Sequence, residues 1–343
     1  MDRSKARSNI KDVARRAGVH PSTVSRVLNP ATRSMVSASL AEEILRIAAE
    51  LGYRRNPLAS GLRTRKTYTV GIIIPDLTNP VFPPIVRGAE RALDAGGYIA
   101  ILADSGSSDR SELEIVENMR ARDVDGLILA TAKRRDPVVG TCVEQGIPLV
   151  LVNRTVSQHN VAAVINDDEL GIELALEHLR ALGHERIAYI GGPQSTSTGY
   201  VRYHAFLKRA TGLGAGLDKA LIVNATAFTE PAGARALATL LDTGKRFTAV
   251  LTANDLLALG CYDTLRARKL RCPDDISVTG FNDMPFVDRI DPPLTTVHIP
   301  HDELGVQAAR LLLERIENRD ATAIEMRLKP TLVARGSTTR APG

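Results

Sequence analysis

Three short stretches within the first 51 residues place apolar side chains at helical spacing. A helix that packs on one face repeats apolar residues every three or four positions. Gly18 ends the first stretch, and Pro21, a residue favoured at the first position of a helix, follows after a short turn. The pattern predicts three amphipathic helices, the first two joined tightly as in a helix-turn-helix. The apolar positions are Ile10, Val13, Ala14 and Ala17, then Val24, Val27 and Leu28, then Leu40, Ile44, Ile47, Ala48 and Leu51.

The second helix carries polar residues on the side opposite its apolar stripe. In a helix-turn-helix this outward face enters the major groove of DNA, which points to Pro21, Ser22 and Arg26. Arg26 can donate two hydrogen bonds to a guanine edge, while Thr23 and Ser25 are short enough to hold phosphates. The sequence therefore predicts a DNA-reading surface on the second helix.

From Val70 onward, short apolar runs alternate with amphipathic helical segments. Continuous Ile, Val and Leu runs of this length indicate strands buried on both faces, and the helices between them indicate βαβ units with parallel sheets. We expect an α/β body of two doubly wound parallel-sheet lobes, the first at about 69–166 and 297–324 and the second at about 167–296 and 325–343. The runs are VGIIIP, YIAILAD, DGLILA, PLVLVN, VAAVIN, RIAYIGG, TAVLTAN and DISVTGFN.

Polar residues stand at the ends of several of these runs. Parallel strands place their carboxyl ends at one edge of the sheet, where open α/β sheets bind ligands. A cleft between the two lobes is therefore the expected binding site. The strand-end residues are Asp76, Thr131, Asn153, Asn254 and Asn282, with Arg202 on the helix after the Gly191-Gly192-Pro193 turn.

Charge is distributed unevenly along the chain. Residues 1–66 contain 14 Lys and Arg against 5 Asp and Glu, whereas the whole chain has a net charge of +5. A basic module attached to a mildly acidic body is typical of a protein that binds a polyanion. No run approaches the roughly 18 apolar residues of a membrane span, and the polar start lacks the apolar stretch of a signal peptide, so we expect a cytoplasmic protein.

The motifs of several enzyme classes are missing from the sequence. Gly244-Lys245 has Thr239 where a phosphate-binding loop needs its first glycine, and neither HExxH nor GxSxG occurs. The Gly191-Gly192-Pro193 turn is not GxGxxG, and its proline removes an amide that a pyrophosphate would need, which disfavours a nicotinamide-dependent oxidoreductase. We expect no catalytic residue, no cofactor and no bound metal.

The strings IKDVARRAGVHPSTVSRVLN and AAELGYRRNPLASGLRT resemble the DNA-binding headpiece of the lactose-repressor (LacI/GalR) family. The resemblance implies a helix-turn-helix domain over residues 1–55 and a hinge over 56–68 that becomes helical on the operator. It also implies that Asn29 joins the DNA contacts, that Leu62 wedges into a minor-groove step and kinks the duplex, and that Arg63 lies beside the phosphates or the minor groove.

Two features of this stretch depart from the family pattern. His20 stands where the family usually has serine as the N-cap of the second helix, and the connection from Asn29 to Val36 is longer than usual. Neither departure removes the predicted fold.

The rest of the chain, residues 69–343, resembles the effector-binding core of the same family and, more distantly, the sugar-binding proteins of the periplasm. The matching strings are DLTNPVF, LEHLRALGHERIAYIGGP, TANDLLALG, DISVTGFND and DPPLTTV. His301 is a weaker candidate for the effector pocket. The residues that the resemblance places in the pocket are Phe82, Asn153, Thr198, Arg202, Phe228, Asn254 and Asn282.

The charge of the effector follows from two departures in that pocket. Asn153 and Asn282 stand where sugar-binding relatives commonly carry aspartate, while Arg202 is retained. Fewer carboxylates and a guanidinium favour an anionic effector, because arginine grips a carboxylate or phosphate with two parallel hydrogen bonds. We therefore favour a sugar acid or a similar carboxylate; the alternative is an uncharged polyol bound by the asparagines. Phe82 and Phe228 either stack on a ligand ring or belong to the core.

The sequence predicts a DNA-binding transcriptional regulator, a repressor, whose operator affinity is controlled by a small molecule bound between the lobes. We expect a homodimer on a pseudo-palindromic operator, because symmetric partners make symmetric sites. Release by an inducer and tightening by a corepressor are both compatible with the sequence. The alternative is a solute-binding protein of the periplasmic type without DNA regulation, a class that needs an export signal and has no use for a basic headpiece.

Overall fold

The chain divides into two compact units, Met1–Thr67 and Tyr68–Gly343, which we call the headpiece and the body. The computed structural model describes residues 8–28, 32–53, 66–106, 109–212 and 218–342.

Within residues 8–28 and 32–53, the headpiece consists of three α-helices and a short 3-10 turn at Arg33–Met35. The helices are α1 (Ile10–Arg16), α2 (Pro21–Val27) and α3 (Ala38–Glu50). Each helix turns its apolar stripe toward the other two, which confirms the helix-turn-helix that the spacing predicts. The buried residues are Val13, Ala14, Val24, Val27, Ala41, Ile44, Ile47 and Ala48.

Side chains satisfy the free backbone groups at both ends of α2. His20 acts as the N-cap, since its Nδ1 accepts a hydrogen bond from the Ser22 amide at 3.2 Å. The ring nitrogen thus replaces the serine hydroxyl that is usual at this position. At the other end, Thr32 Oγ1 donates to the Arg26 carbonyl at 3.0 Å and Arg33 Nε donates to the Val27 carbonyl at 2.9 Å. These bonds fix both ends of the helix that carries the predicted DNA-reading surface.

The described part of the body contains two six-stranded sheets. Their strands are β1 (Thr69–Ile74), β2 (Ile99–Asp104), β3 (Gly126–Leu129), β4 (Leu149–Val152), β5 (Ala162–Asn166), β6 (Ile187–Gly191), β7 (Ile222–Asn224), β8 (Ala249–Thr252), β9 (Ser277–Asn282), β10 (Thr295–His298), β11 (Glu325–Leu328) and β12 (Thr331–Val333). The orders are β11-β5-β4-β3-β1-β2 and β12-β10-β9-β8-β6-β7. All neighbours are parallel except β12 against β10.

Helices cover the sheets. They are α4 (Phe82–Ala95), α5 (Asp109–Arg120), α6 (Pro137–Glu144), α7 (Asp168–Ala181), α8 (Ser197–Gly212), α9 (Glu230–Asp242), α10 (Asp255–Ala267) and α11 (His301–Glu317), with a 3-10 turn at Lys219–Leu221. The two sheets with their helices form the two doubly wound lobes, which confirms the predicted α/β class. All eight predicted strands are present as β1 to β6, β8 and β9.

The chain crosses between the lobes at places that differ from the predicted ones. Strand β10 lies in the second sheet although residues from 297 were assigned to the first lobe, and β11 lies in the first sheet although residues from 325 were assigned to the second. Both strands are short, and their sequences TTVH and EMRL are not continuous apolar runs. Their sheet is therefore decided by pairing rather than by a pattern visible in the sequence.

The longest helix of the described body, α11, belongs to the first lobe, where it crosses α4 at a pair of glycines. A methyl group on Gly305 would lie 1.9 Å from the Ile85 carbonyl oxygen, and one on Gly88 would lie 2.1 Å from the Asp302 carbonyl oxygen. Only glycine allows the two backbones to approach this closely. The crossing holds α4, and with it Phe82 at the start of α4, against the carboxyl edge of the first sheet.

Candidate functional site

The seven residues predicted for the effector pocket lie around a single cavity between the two lobes. Each lobe contributes half of the lining, so the cavity exists only where the lobes meet. The first lobe supplies Asn79, Val81, Phe82, Asn153 and Arg154, and the second supplies Thr198, Arg202, Phe228, Asn254 and Asn282. Asn79, Val81 and Arg154 were not predicted.

The fold brings these residues together because both sheets direct the carboxyl ends of their strands toward the cleft. Asn153 directly follows β4, Asn282 is the last residue of β9, and Asn254 lies just after β8. Thr198 and Arg202 occupy the first turns of α8, the helix that follows β6. Ligand sites of open α/β sheets lie at this edge, so the geometry is that of a binding cleft.

Two of the cleft asparagines have backbone conformations that most residues avoid. The φ angle of Asn153 is +65° and that of Asn282 is +113°. A non-glycine residue with positive φ costs on the order of 1–3 kcal/mol, and asparagine is among the side chains that tolerate the left-handed region best. Such strained positions concentrate at ligand sites, which agrees with the place of both residues in the cavity lining.

Arg202 is held by protein groups on every side. Its Nε and Nη2 atoms lie 2.9 and 2.8 Å from Oδ1 of Asp168, its Nη1 donates to the Ala253 carbonyl at 2.6 Å, and its guanidinium carbon lies 3.6 Å from the centre of the Phe281 ring. Burial raises the pKa of Asp168, and the Arg202 charge opposes that rise. The prediction treated Arg202 as a guanidinium free to grip a ligand; the structure shows an internal ion pair.

Arg154 is a second arginine of the cavity, and its surroundings differ from those of Arg202. Its Nη1 donates to the Thr131 carbonyl at 3.3 Å, and its buried Nε has no hydrogen-bond partner within the described chain. Burial, and to a smaller extent the nearby charge of Arg202, lower the pKa of Arg154 to about 10, while Glu112 acts in the opposite direction. A signal was present in the sequence, since Arg154 directly follows Asn153.

The asparagine side chains have structural partners as well as places in the lining. Asn254 is the N-cap of α10, where its Oδ1 accepts from the Leu257 amide at 2.9 Å. Asn153 Oδ1 accepts from Asn166 Nδ2 at 3.3 Å. Both side chains are thus oriented through their oxygens, which leaves the Nδ2 groups of Asn153 and Asn254 as donors toward a ligand.

The aromatic residues of the cavity also pack into the protein. Phe82 is buried in the core of the body, and Phe228 is partly buried against it. A methyl group on Gly192 would lie 2.1 Å from the Phe228 ring. The Gly191-Gly192-Pro193 turn therefore lets an aromatic ring approach the backbone closely, a role unrelated to phosphate binding.

Three contacts join the lobes beside the cavity. The backbone amide of Arg134 donates to the Ser195 carbonyl at 2.8 Å. The guanidinium carbon of Arg134 lies 3.5 Å from the centre of the Tyr200 ring. The Thr155 amide donates to Ser197 Oγ at 2.9 Å. Each contact pairs a loop of the first lobe with α8 or the residue shortly before it, so opening the cleft would break all three.

His301, the weaker pocket candidate, does not line the cavity. It is buried at the start of α11, and burial lowers its pKa to about 4. Over the ranges that the structure describes, no cluster of three or more metal-ligating side chains occurs. None of the helices in those ranges has both the length and the apolar character needed to cross a membrane.

The predicted DNA-reading surface lies on α2. Ser22 and Arg26 are exposed one turn apart, while Pro21, Thr23 and Ser25 are partly buried. The Arg26 side chain has no hydrogen bond or ion pair with any described residue, so its donors face solvent. The other predicted DNA contacts, Asn29, Leu62 and Arg63, lie outside the described residues, as does most of the predicted hinge over 56–68.

Known proteins match both units. Residues 9–56 match the family model of the bacterial regulatory proteins of the lacI family, and residues 176–338 match that of the periplasmic binding protein-like domain. The HTH-type transcriptional regulator MalR of Streptomyces coelicolor is 36% identical, with 98% of each chain covered. The ribose operon repressor of Escherichia coli is 33% identical, with 96% of this chain and 99% of the relative covered.

Solved structures resemble the chain as well. The lac repressor dimer bound to operator and an anti-inducer has a TM-score of 0.85 at 28% identity and covers 97% of this chain, with 100% of that chain matched. A LacI family regulator from Enterococcus faecium with bound ribose has a TM-score of 0.69 at 32% identity and covers 80% of this chain, again with 100% of that chain matched. The chain therefore belongs to the LacI family of bacterial transcriptional regulators.

Proposed function

We propose that this protein is a transcriptional repressor that acts in the cytoplasm and whose operator affinity is set by a carbohydrate or sugar acid held between its lobes. One observation carries the proposal: a chain that exposes Ser22 and Arg26 on a helix-turn-helix also forms a cavity lined equally by two lobes. A ligand in such a cavity contacts both lobes and so favours one lobe arrangement over another. A ribose operon repressor among the relatives and a ribose-bound solved structure support a carbohydrate effector.

The headpiece accounts for the DNA half of this function. With α2 in the major groove, Arg26 reaches a guanine edge, and Thr23 and Ser25 hold phosphates. We propose that Asn29, Leu62 and Arg63, which lie outside the described residues, also contact DNA, Leu62 and Arg63 in the minor groove. A solute-binding protein has no need of such a surface, which favours regulation of DNA over transport.

Replacing Arg26 with alanine is expected to weaken operator binding by about 1–3 kcal/mol, roughly 5- to 150-fold in Kd. The loss should come from base recognition, because the guanidinium makes no hydrogen bond or ion pair with any described residue of the headpiece. Operator sites are first selected from a random DNA pool with the full chain, and fluorescence anisotropy then measures Kd for the selected site and for random DNA.

Arg46 provides the matched control, since it is an exposed arginine on α3 paired with Glu50 rather than on the reading face. Arg46→Ala should change operator affinity by less than about threefold, because an exposed ion pair contributes little. Equal losses on operator and random DNA in Arg26→Ala would remove Arg26 from the base-reading role.

Effector control requires that the ligand bind two lobe arrangements unequally. The contacts of Arg134, Thr155 and Tyr200 hold the lobes together in the structure described here, and a ligand that strengthens or replaces them shifts the separation of the two hinge starts in a dimer. The operator affinity then changes because the headpieces fit two half-sites at a fixed spacing.

The effector class is tested by a thermal-shift screen of neutral sugars against sugar acids, with operator anisotropy measured for each compound that stabilises the body. A true effector is expected to raise Tm and also to change operator affinity by about fivefold or more. If neither class both binds and changes operator affinity, the proposed effector control is wrong. The direction of the change distinguishes an inducer from a corepressor.

The dimeric state is supported by the edge of the first sheet. Among the described strands, β2 pairs with β1 alone and leaves three large apolar side chains in water: Ile99, Ile101 and Leu102 are 68%, 36% and 40% exposed. An open edge with apolar side chains is a ready interaction surface. We infer that a second copy of the chain covers this edge and that the homodimer binds a pseudo-palindromic operator.

A further inference from the structure

The two arginines of the cavity differ in what remains free on them. We propose that Arg154 is the residue that selects an acidic carbohydrate, one carrying a carboxylate or a phosphate ester, and that Arg202 is a positioning residue of the cleft. This inference rests on the proposed function, because it names the chemical class of the effector in that same cavity.

The charges that line the cavity have one sign. Of the ten described lining residues, the charged ones are Arg154 and Arg202, and no carboxylate is among them. Asp168 lies behind Arg202 and is nearly buried by it. Glu112 is buried too, and its Oε1 accepts a hydrogen bond from Thr131 Oγ1. A ligand in the cavity therefore meets guanidinium groups, with the acids one layer further away.

Arg202 has few hydrogen-bond donors available for a ligand. Two of its nitrogens contact Asp168, the third contacts the Ala253 carbonyl at 2.6 Å and lies 3.5 Å from Asn282 Oδ1, and the Phe281 ring covers one face of the group. Its charge is balanced by direct contact with a carboxylate. These contacts fix the start of α8 and the end of β9 relative to each other, which is a positioning role.

Arg154 keeps most of its donors. A guanidinium has five N–H groups, and within the described chain Arg154 makes a single hydrogen bond, the 3.3 Å contact with the Thr131 carbonyl. It makes no ion pair with any described carboxylate. Glu112 acts on it electrostatically from beyond Thr131, and the neighbouring positive charge of Arg202 works against it. A buried guanidinium without a contacting anion is stabilised by a ligand that supplies one.

The polar groups around Arg154 fit the same class of ligand. The cleft asparagines have their oxygens committed to Asn166 and to the Leu257 amide, so their free groups are donors. A sugar hydroxyl both donates and accepts, whereas an ionised acid group accepts only, so surroundings that offer mainly donors favour the acid group.

The test measures binding to the full chain by isothermal titration with D-gluconate and D-glucuronate, D-glucose 6-phosphate, and neutral D-glucose and D-ribose. At least one acid is expected to bind more tightly than every neutral sugar. Comparison of the two carboxylates with the phosphate ester shows which acid group the cavity prefers. Arg154→Gln is expected to weaken binding of that acid by about 10- to 100-fold, and Arg154→Lys should lose less because it keeps the charge.

The readout is the ratio of acid to neutral affinity, since loss of folded protein lowers both and leaves their ratio unchanged. Tm of Arg154→Gln and Arg154→Lys is measured alongside. Binding of neutral sugars alone, or an acid affinity that Arg154→Gln leaves within about threefold, overturns the proposal for Arg154. In that case, a neutral sugar that binds and changes operator affinity is still consistent with the proposed function. If the sugars bind but none changes operator affinity, the proposed function is contradicted as well.

Discussion

Replacing Arg202 with methionine is expected to lower the free energy of unfolding of the body by about 3–5 kcal/mol. The substitution removes the partner of a buried carboxylate, because Arg202 is only 2% exposed and Asp168 has its contacts with that guanidinium. It also removes the donor to the Ala253 carbonyl. Chemical denaturation followed by circular dichroism at pH 8 measures the loss.

The pH dependence of this variant has a definite sign. Burial already raises the pKa of Asp168 above its ordinary 3.8, and without Arg202 that pKa rises further. Between the unfolded and the folded pKa the folded state binds more protons, so stability falls as pH rises. Arg202→Met should therefore be less destabilised at pH 5 than at pH 8.

Two further variants separate the buried pair from a general effect of losing an arginine. Arg202→Met combined with Asp168→Leu should recover part of the loss, since no charge is then left buried alone. Arg209 lies on α8 like Arg202 but forms a more exposed ion pair, with Glu173 of α7, so Arg209→Met should cost less than about 1 kcal/mol. Equal losses from Arg202→Met and Arg209→Met would contradict the assignment of Arg202 as a buried positioning residue.

Replacing Ile99 with lysine is expected to convert the proposed dimer to a monomer and to weaken operator binding by about 10²- to 10⁴-fold. Ile99 is 68% exposed on the open edge of the first sheet, so within one chain it has little packing to lose. In a dimer the lysine pair would place two like charges at the interface. Binding of the second headpiece would no longer be an intramolecular event, which is the source of the large loss.

Sedimentation velocity measures the mass of the variant, and anisotropy measures its operator affinity. Val143→Lys provides the control, because Val143 is a 43% exposed apolar residue on α6, far along the chain from β2. That variant should keep the mass and the operator affinity of the unmodified chain. A dimer that persists in Ile99→Lys would place the interface elsewhere on the body.

The elements that sequence reasoning predicted correctly share a physical origin. The helices of the headpiece and the eight main strands bury one stripe or both faces, and burial imposes a repeat on the sequence that can be read without coordinates. The cavity residues Asn153, Asn254 and Asn282 could be predicted for a related reason, since parallel strands bring their carboxyl ends to one edge whatever their side chains are.

The features that were missed depend on contacts between distant parts of the chain. Strands β10 and β11 carry no continuous apolar run, so only their partners decide which lobe they join. Arg202 was interpreted from the sequence as a guanidinium free to bind a ligand, and Arg154 was not predicted for the pocket. Asp168 lies 34 positions before Arg202, and its choice of partner depends on how α7 packs beside α8.

The sequence by itself determined a basic helix-turn-helix followed by a two-lobed α/β body with a cleft at the strand ends, because helix and strand periods and local charge are properties of neighbouring residues. Only the tertiary structure decided which arginine of the cleft is neutralised and which is left for a ligand. Electrostatic balance depends on distance in space, and Asp168 reaches Arg202 while no described carboxylate reaches Arg154.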